Sequence, residues 1–207
     1  MSDEQRVYGG QAVSDRARER RERFLAAATE VFGNEGYAGS SVPQICRVAE
    51  LSSRQFYQEF SDREHLLREL YDRIHDATTQ AVADAVFEKI SAGTELDEVL
   101  DAGVRAFVNS FNDPRVIRIA FVEVVGVSPA FEKYRYARRD SWVELLQSAV
   151  QASAAQGMTI GSTTPLQWTA YIGAVNATIV ERSLNPAVSD EDIVATMRTL
   201  LRPGIVD

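Results

Sequence analysis

The chain has 207 residues, 45% of them hydrophobic and 25% charged, an ordinary balance for one large globular domain or two small ones. No apolar run approaches the roughly 20 residues of a membrane-spanning helix, and the polar stretch Met1 to Arg6 lacks the apolar core of a secretory signal. A net charge of −8 does not advertise a nucleic-acid ligand, and the single cysteine, Cys46, excludes an internal disulfide and fits a reducing cytoplasm.

Residues 1–13 are polar and glycine-containing and are expected to form a disordered tail. Ser14 can cap a helix from about Asp15 to Gly33, with Phe24, Ala28, Val31 and Phe32 as its apolar face. Gly36 and Gly39 punctuate the loop that follows. Ser41 and Gln44 have capping-box spacing, Pro43 sits in a first turn, and Ile45, Val48 and Ala49 recur at helical spacing. Glu50 and Leu51 form a turn. Ser52 and Gln55 repeat the box and open a helix with Phe56 and Phe60 inward and Ser53, Arg54, Gln55, Tyr57 and Gln58 outward. That outer face has the chemistry to read a DNA major groove. By spacing alone, an ordinary helical hairpin fits equally. Ser61 and Glu64 have box spacing again, ahead of a long helix to about Ile90 without Gly or Pro.

The rest also reads as helical. Thr94 and Asp97 suggest a cap for a helix through Phe111. Asp113-Pro114 opens one through about Val125, and Gly126 breaks it. Ser128-Pro129 opens a long helix to about Gln156. Gly157, Gly161 and Ser162 make a loop. Thr164-Pro165 opens a helix through Leu184, and Ser189 with Asp192 a last one through Leu201, before Pro203-Gly204. No segment alternates with period two. The class is therefore all-α, with about nine helices: three in an N-terminal domain over 14–61, the others in a domain over 62–207 that begins with a linking helix, 62–90.

The charge is unevenly spread. Residues 1–75 hold 11 basic against 13 acidic side chains, a net of −2, which leaves −6 for the remainder. Positive charge in the first part is local: Arg16, Arg18, Arg20, Arg21 and Arg23, then Arg47, Arg54 and Arg63. An acidic remainder would repel DNA away from that face and favour one orientation of approach.

Residues 24–67 resemble the DNA-binding domain of the TetR family of transcriptional regulators. The matching pieces are A-x-x-V-F-x-x-x-G-Y, S-S-V-x-x-I-x-x-x-A, L-S-x-x-x-F-Y-x-x-F and S-D-R-E-x-L-L, in order. Two residues depart from the pattern. Glu50 stands where glycine is usual, so a left-handed residue would carry a Cβ. Glu59 stands where a residue touching the DNA backbone is common, and a carboxylate there would repel phosphate.

The resemblance implies roles. Arg54 and Gln55 become the base readers, through bidentate contacts to guanine and adenine. Ser41, Ser52, Ser53, Tyr57, Gln58 and Arg63 become contacts to phosphate, with Tyr57 and Arg63 foremost. It also implies an apolar effector pocket among the later helices, for which Phe107, Phe111, Phe121 and Trp142 are candidates, against plain core. Glu123 lies on a nearly all-apolar segment and Asn176 inside an apolar helix. Each needs a ligand or an internal partner. For Glu123 the choice is a cationic or hydrogen-bonding effector, or a neighbour such as Arg118 or Tyr134. A homodimer through the last two helices is implied as well, with Trp168, Tyr171, Ile172, Val175, Ile179, Ile193, Met197 and Leu200 at its interface.

The sequence thus points to a repressor of double-stranded operator DNA, acting as a homodimer answering to a small apolar effector, without cofactor, metal or membrane. His65 and His75 are expected at the surface, and Cys46 in the core. The competing classes are a helical adaptor and an enzyme. Against the enzyme, there is no G-x-S-x-G, no phosphate-binding glycine loop and no histidine beyond residue 75.

Overall fold

In a computed structural model the backbone is described at residues 3–158, 160–161 and 163–202, and side chains from residue 15 over the same stretches. Ser162 and the Pro203-Gly204 pair lie outside the described residues. Among the described residues there are nine α-helices, one of them extended by a π-helical turn. The chain divides into two compact units, residues 1–72 and 73–207.

The first unit holds α1 (Asp3–Glu35), α2 (Val42–Ala49), α3 (Ser53–Glu59) and the start of α4 (Arg63–Ser91). α1 differs from expectation. It begins at Asp3, through the stretch expected to be a disordered tail and past Ser14, the expected cap. Its 33 residues include Gly9 and Gly10, each costing about 1 kcal/mol relative to alanine in a helix interior, and no proline interrupts it.

Three rings form the centre of this unit. Phe24, Phe56 and Phe60 are all buried, with centroid separations of 5.4, 6.1 and 5.6 Å. Each aromatic pair adds about 0.5–1.5 kcal/mol to the burial term. Phe32, Ile45, Leu66 and Leu67 are also fully buried in this unit.

The caps explain where the short helices start. The Ser41 hydroxyl accepts from the Gln44 N–H, with Pro43 in the first turn. Ser52 and Gln55 form a complete capping box. At α4 the expected Ser61–Glu64 box does not form: Asp62 is the cap, its Oδ1 accepting from the His65 N–H at 2.8 Å. An aspartate one residue further along satisfies the same exposed amides and complements the helix dipole.

The second unit holds the rest of α4, then α5 (Leu96–Asn109), α6 (Pro114–Arg118) with its π-helical turn (Ile119–Glu123), α7 (Pro129–Ala155), α8 (Pro165–Leu184) and α9 (Asp190–Leu201). α5 starts after Glu95, which gives no side-chain cap, and the Thr94 hydroxyl donates to the Lys89 carbonyl instead. α6 is shorter than expected. It opens under the Asp113 cap, whose Oδ1 accepts from the Arg115 N–H, and gives way to the π turn after Arg118. Ser128, Thr164 and Ser189 cap α7, α8 and α9 as expected.

The main core gathers Val104, Val108, Ile117, Val175, Ile179, Ile193, Val194 and Met197 from α5, α6, α8 and α9, with Phe111 from the turn after α5. α4 and α5 approach closely at Gly103, where a Cβ would stand 2.7 Å from the Val86 side chain. This packing takes up five of the eight residues expected at a dimer interface. Trp168, Val175, Ile179, Ile193 and Met197 are buried inside the chain itself, and Tyr171, Ile172 and Leu200 are half-buried. The apolar stripe that marks these helices in the sequence is the one the chain needs for its own core.

Candidate functional site

α2 and α3 pack as a helix-turn-helix, and the turn is held by a residue from α1. Glu50 adopts φ 53°, ψ 42°, the left-handed conformation, with its N–H on the Arg47 carbonyl at 3.2 Å and the Leu51 N–H on the Cys46 carbonyl at 3.0 Å. A residue with a Cβ pays about 1–2 kcal/mol for that conformation. Arg23 offsets it: its Nη2 donates to the Ala49 carbonyl at 2.6 Å and lies 3.4 Å from the Glu50 carboxylate. The glycine absent from this turn is replaced by an arginine clamp.

The buried face of α3 carries Phe56. Its outward face carries Ser53, Arg54, Tyr57 and Gln58, all exposed. Gln55 is only half-exposed, and its Oε1 accepts from the Ser52 N–H at 2.9 Å and from the Ser52 hydroxyl at 2.8 Å. A bidentate contact to adenine needs that same oxygen as acceptor for the base amino group. In this conformation Gln55 offers its amide nitrogen alone, so Arg54 is the exposed candidate for a bidentate contact.

Arg63 is placed against the loop between α1 and α2. Its Nη1 donates to the Tyr37 carbonyl at 2.9 Å, to the Ser40 hydroxyl at 2.7 Å and to the Ser40 carbonyl, and its guanidinium lies 4.9 Å from the Tyr37 ring centroid. It ties α4 to that loop, a role its position in the sequence did not signal. Ser41, Ser52 and Ser53 are exposed, and the first two are also caps.

Glu59 resolves its own anomaly. Its carboxylate accepts from Arg20 at 2.9 and 3.2 Å and lies 3.7 Å from Arg21. Arg21 also donates to the Glu59 carbonyl at 3.0 Å, forks onto Glu69 and stacks over Phe60 at 4.7 Å. The carboxylate is neutralised inside the domain rather than presented to phosphate. The same contacts occupy Arg20, Arg21 and Arg23, three of the arginines expected to supply positive charge. Arg16, Arg47 and Arg54 remain exposed.

Residues 24–70, the stretch just described, match the family described as bacterial regulatory proteins, tetR family. The domain over residues 24–70 is of the tetR family type. The whole chain is 23% identical to the HTH-type transcriptional regulator EthR of Mycolicibacterium smegmatis over 86% of its own length and 82% of the relative's. It is 39% identical to the HTH-type transcriptional regulator HbdR of an Aromatoleum species, over 24% of this chain and 21% of that one. Among solved structures, a TetR-family regulator from Mesorhizobium loti superposes with a TM-score of 0.74 at 17% identity, covering 91% of this chain and 96% of the other. FadR of Bacillus subtilis, solved with stearoyl-CoA, gives 0.71 at 18%, covering 89% and 97%. At these identities the structural likeness establishes the fold alone beyond the matched domain.

In the second unit the aromatic candidates come together. Trp142, Phe107, Phe111 and Phe121 form a continuous row with centroid separations of 5.8, 5.0 and 4.9 Å. They pack on one another and on the core. An open cleft of about 320 Å³ lies in the same unit, lined by Arg73, Ile74, Ala77, Thr78, Ser110 and Val116. Glu123 is satisfied internally, accepting from Arg118 Nε at 2.7 Å. Asn176 is half-buried on α8.

His75, expected at the surface, is buried. Its Nε2 donates to the Arg138 carbonyl at 2.9 Å, and its Nδ1 accepts from Arg138 Nη2 at 2.9 Å, which fixes the neutral tautomer. Burial, then the Arg138 charge, lowers its pKa to about 4. Arg138 also pairs with Asp76.

Proposed function

We propose that this transcriptional regulator is a cytoplasmic, homodimeric repressor of a palindromic operator, released when a small, largely apolar molecule binds the second unit. The observation that carries the DNA half is the outward face of α3. Ser53, Arg54, Tyr57 and Gln58 stand exposed on a helix fixed from behind by Phe56 and capped by Ser52. The domain boundary is proposed at the start of α4, which then continues as the link. A dimer would set two such helices into successive major grooves, about 34 Å apart. A ligand that displaces α4 would change that separation, and the two affinities are then reciprocally coupled.

The dimer surface is reassigned to the outer side of the last two helices. Leu166, Ala170, Gly173, Ala177 and Leu184 are exposed and recur on one face of α8. Ala195 and Thr199 do the same on α9. A Cβ at Gly173 would meet nothing within 4 Å. Small residues flanked by two leucines let a second copy of the same face approach closely around a two-fold axis.

The test is a mobility-shift titration at two salt concentrations, on selected operator DNA and on its scrambled sequence, alongside sedimentation. Preference for the operator at both salts, by a dimer, is expected. Equal binding to both DNAs, or a monomer at micromolar concentration, would overturn the reading. No shift with any DNA would favour the helical adaptor.

A further inference from the structure

Arg20, Arg21, Glu59 and Glu69 form one cluster of four charges that sum to zero. Arg20 reaches the Glu59 carboxylate with Nη2 at 2.9 Å and Nε at 3.2 Å, and among the described residues it has no other partner. Arg21 forks onto Glu69, with its Nε at 2.8 Å, and lies 3.7 Å from the Glu59 carboxylate. Glu59 is only 10% exposed, so its charge is screened less than one at the surface.

The cluster lies at the end of the helix that reads the groove. Glu59 is the last residue of α3, five residues beyond Arg54 and so about 7.5 Å further along the axis. That distance is within the Debye length of about 8 Å at physiological salt. A charge uncovered at Glu59 or Arg20 would therefore act on the phosphates around the bases that α3 reads. An arginine released from its carboxylate can pair with phosphate instead. The pair could also be a plain brace between α1 and α3, but α3 is already held without it. Phe56 and Phe60 are buried, Ser52 and Gln55 box its start, and Arg21 donates to the Glu59 carbonyl at 3.0 Å.

We infer that Glu59 withholds Arg20 from the DNA backbone while Arg20 masks Glu59, so that the pair sets the sequence-independent affinity of the protein for DNA. This rests on the reading of α3 as the helix that enters the major groove, and it names the residues that hold general affinity down. A brace and a charge lock differ in sign. A brace fails alike whichever partner is removed. In a charge lock, neutralising Glu59 leaves the cluster at +1 with Arg20 released, and neutralising Arg20 leaves it at −1.

The experiment measures binding isotherms of the full chain across a salt series, on selected operator DNA and on its scrambled sequence. The proteins are the unaltered chain, Glu59→Gln, Arg20→Gln and the double variant. Glu59→Gln should bind both DNAs at least about threefold more tightly and steepen the slope of log affinity against log salt by about one per half-site. Arg20→Gln should bind both at least about threefold more weakly, with a flatter slope. The double variant restores a neutral cluster and should return to within about twofold of the unaltered protein. The preference for operator over scrambled DNA should stay the same throughout, since phosphates carry no sequence. Weaker binding by both single variants, or an unchanged affinity in Glu59→Gln, would overturn the inference. If Arg20→Gln fails to fold, the sign of the Glu59→Gln change decides alone. An unaltered protein that binds neither DNA refutes the groove-reading assignment of α3 and this inference with it. Binding by the unaltered protein with the wrong signs in the variants refutes the charge lock alone.

Discussion

Arg118 Nε and Glu123 Oε1 meet at 2.7 Å across a spacing of five residues. In an α-helix, five residues put two side chains about 140° apart, so this pair could not form there. The π-helical turn at Ile119–Glu123 brings them onto one side. Nothing in the segment forces that turn locally, since it contains neither Gly nor Pro. The register also buries Ile119 and Ala120, stacks Phe121 on Phe111, and leaves Val122 48% exposed. The ion pair and the register therefore support each other. Glu123→Gln should cost about 1–2 kcal/mol in urea unfolding, since a charge-assisted bond is lost while the amide keeps a weaker one. Deleting Val122 should convert the turn to α-helix. Hydrogen exchange across 116–125 would then show continuous protection, and unchanged exchange would contradict the register argument.

The left-handed turn gives a prediction with opposite signs at two residues. Glu50→Gly removes the Cβ penalty and loses only a 3.4 Å contact from a carboxylate that is 85% exposed, which is worth little. The gain is partly cancelled by the greater freedom of glycine in the unfolded chain. The expected result is between neutral and about 1 kcal/mol more stable. Arg23→Ala should instead cost about 1.5–3 kcal/mol, because the Ala49 carbonyl loses a charged donor. Thermal melts of both variants check the order. A larger loss in Glu50→Gly than in Arg23→Ala would refute the clamp.

At the DNA face, Arg54 and Gln55 should separate. Arg54→Ala removes an exposed side chain, so stability should change by less than about 0.5 kcal/mol. Operator affinity should fall by about 1–3 kcal/mol, with relaxed preference at one position per half-site. Gln55→Ala should lose about 1 kcal/mol of stability with the capping box. Gln55→Glu retains an acceptor for the Ser52 N–H and suits a helix N-terminus, so it should fold normally and bind DNA less well. If Gln55→Glu bound operator at full strength, Gln55 would have no part in reading bases.

What the sequence showed was what is decided within a few residues. The Ser52–Gln55 and Ser189–Asp192 boxes, the Thr164 cap, and the inward pair Phe56 and Phe60 are local patterns that the structure keeps. What it hid depends on partners far along the chain. Glu59 is neutralised by Arg20, 39 residues earlier, and Arg63 is tied to Ser40, 23 residues earlier. Neither spacing leaves a periodic signal. Five residues of the expected interface stripe are buried in the chain's own core for another reason. Periodicity finds the apolar side of a helix but does not say whether a second copy or the same chain covers it.

Arg63 carries a prediction that reverses its sequence-based role. A residue that only touched phosphate would, when replaced by alanine, reduce the slope of log affinity against log salt by about one and leave stability unchanged. Arg63→Ala removes a donor from the Tyr37 carbonyl, the Ser40 carbonyl and the Ser40 hydroxyl, the last on a residue only 7% exposed. It should destabilise the chain by about 1.5–3 kcal/mol. Arg63→Lys should recover only part, since an ammonium cannot reproduce the stacking on Tyr37. A normal melting temperature in Arg63→Ala, with a flattened salt slope, would return the residue to the phosphate.

His75 makes stability depend on pH in a defined direction. Its folded pKa is lowered from 6.5 to about 4, first by burial and then by the Arg138 charge. Between those values the unfolded chain takes up a proton that the folded chain does not. Stability contributed by the neutral ring is therefore complete above about pH 6.5, falls as pH drops toward 4, and levels off below. The charged groups facing the ring are Arg138, which donates to Nδ1, and Asp76, 3.9 Å from Nδ1 but 69% exposed and paired with Arg138. Protonating Nδ1 would break the Arg138 bond and set two cations against each other. His75→Asn keeps an amide that can donate to the Arg138 carbonyl and does not titrate. It should lower stability at pH 7 but flatten the decline between pH 6.5 and 4. Urea unfolding at half-unit pH steps measures both curves. Parallel curves for the two proteins across that window would mean that His75 is protonated as readily in the fold as out of it.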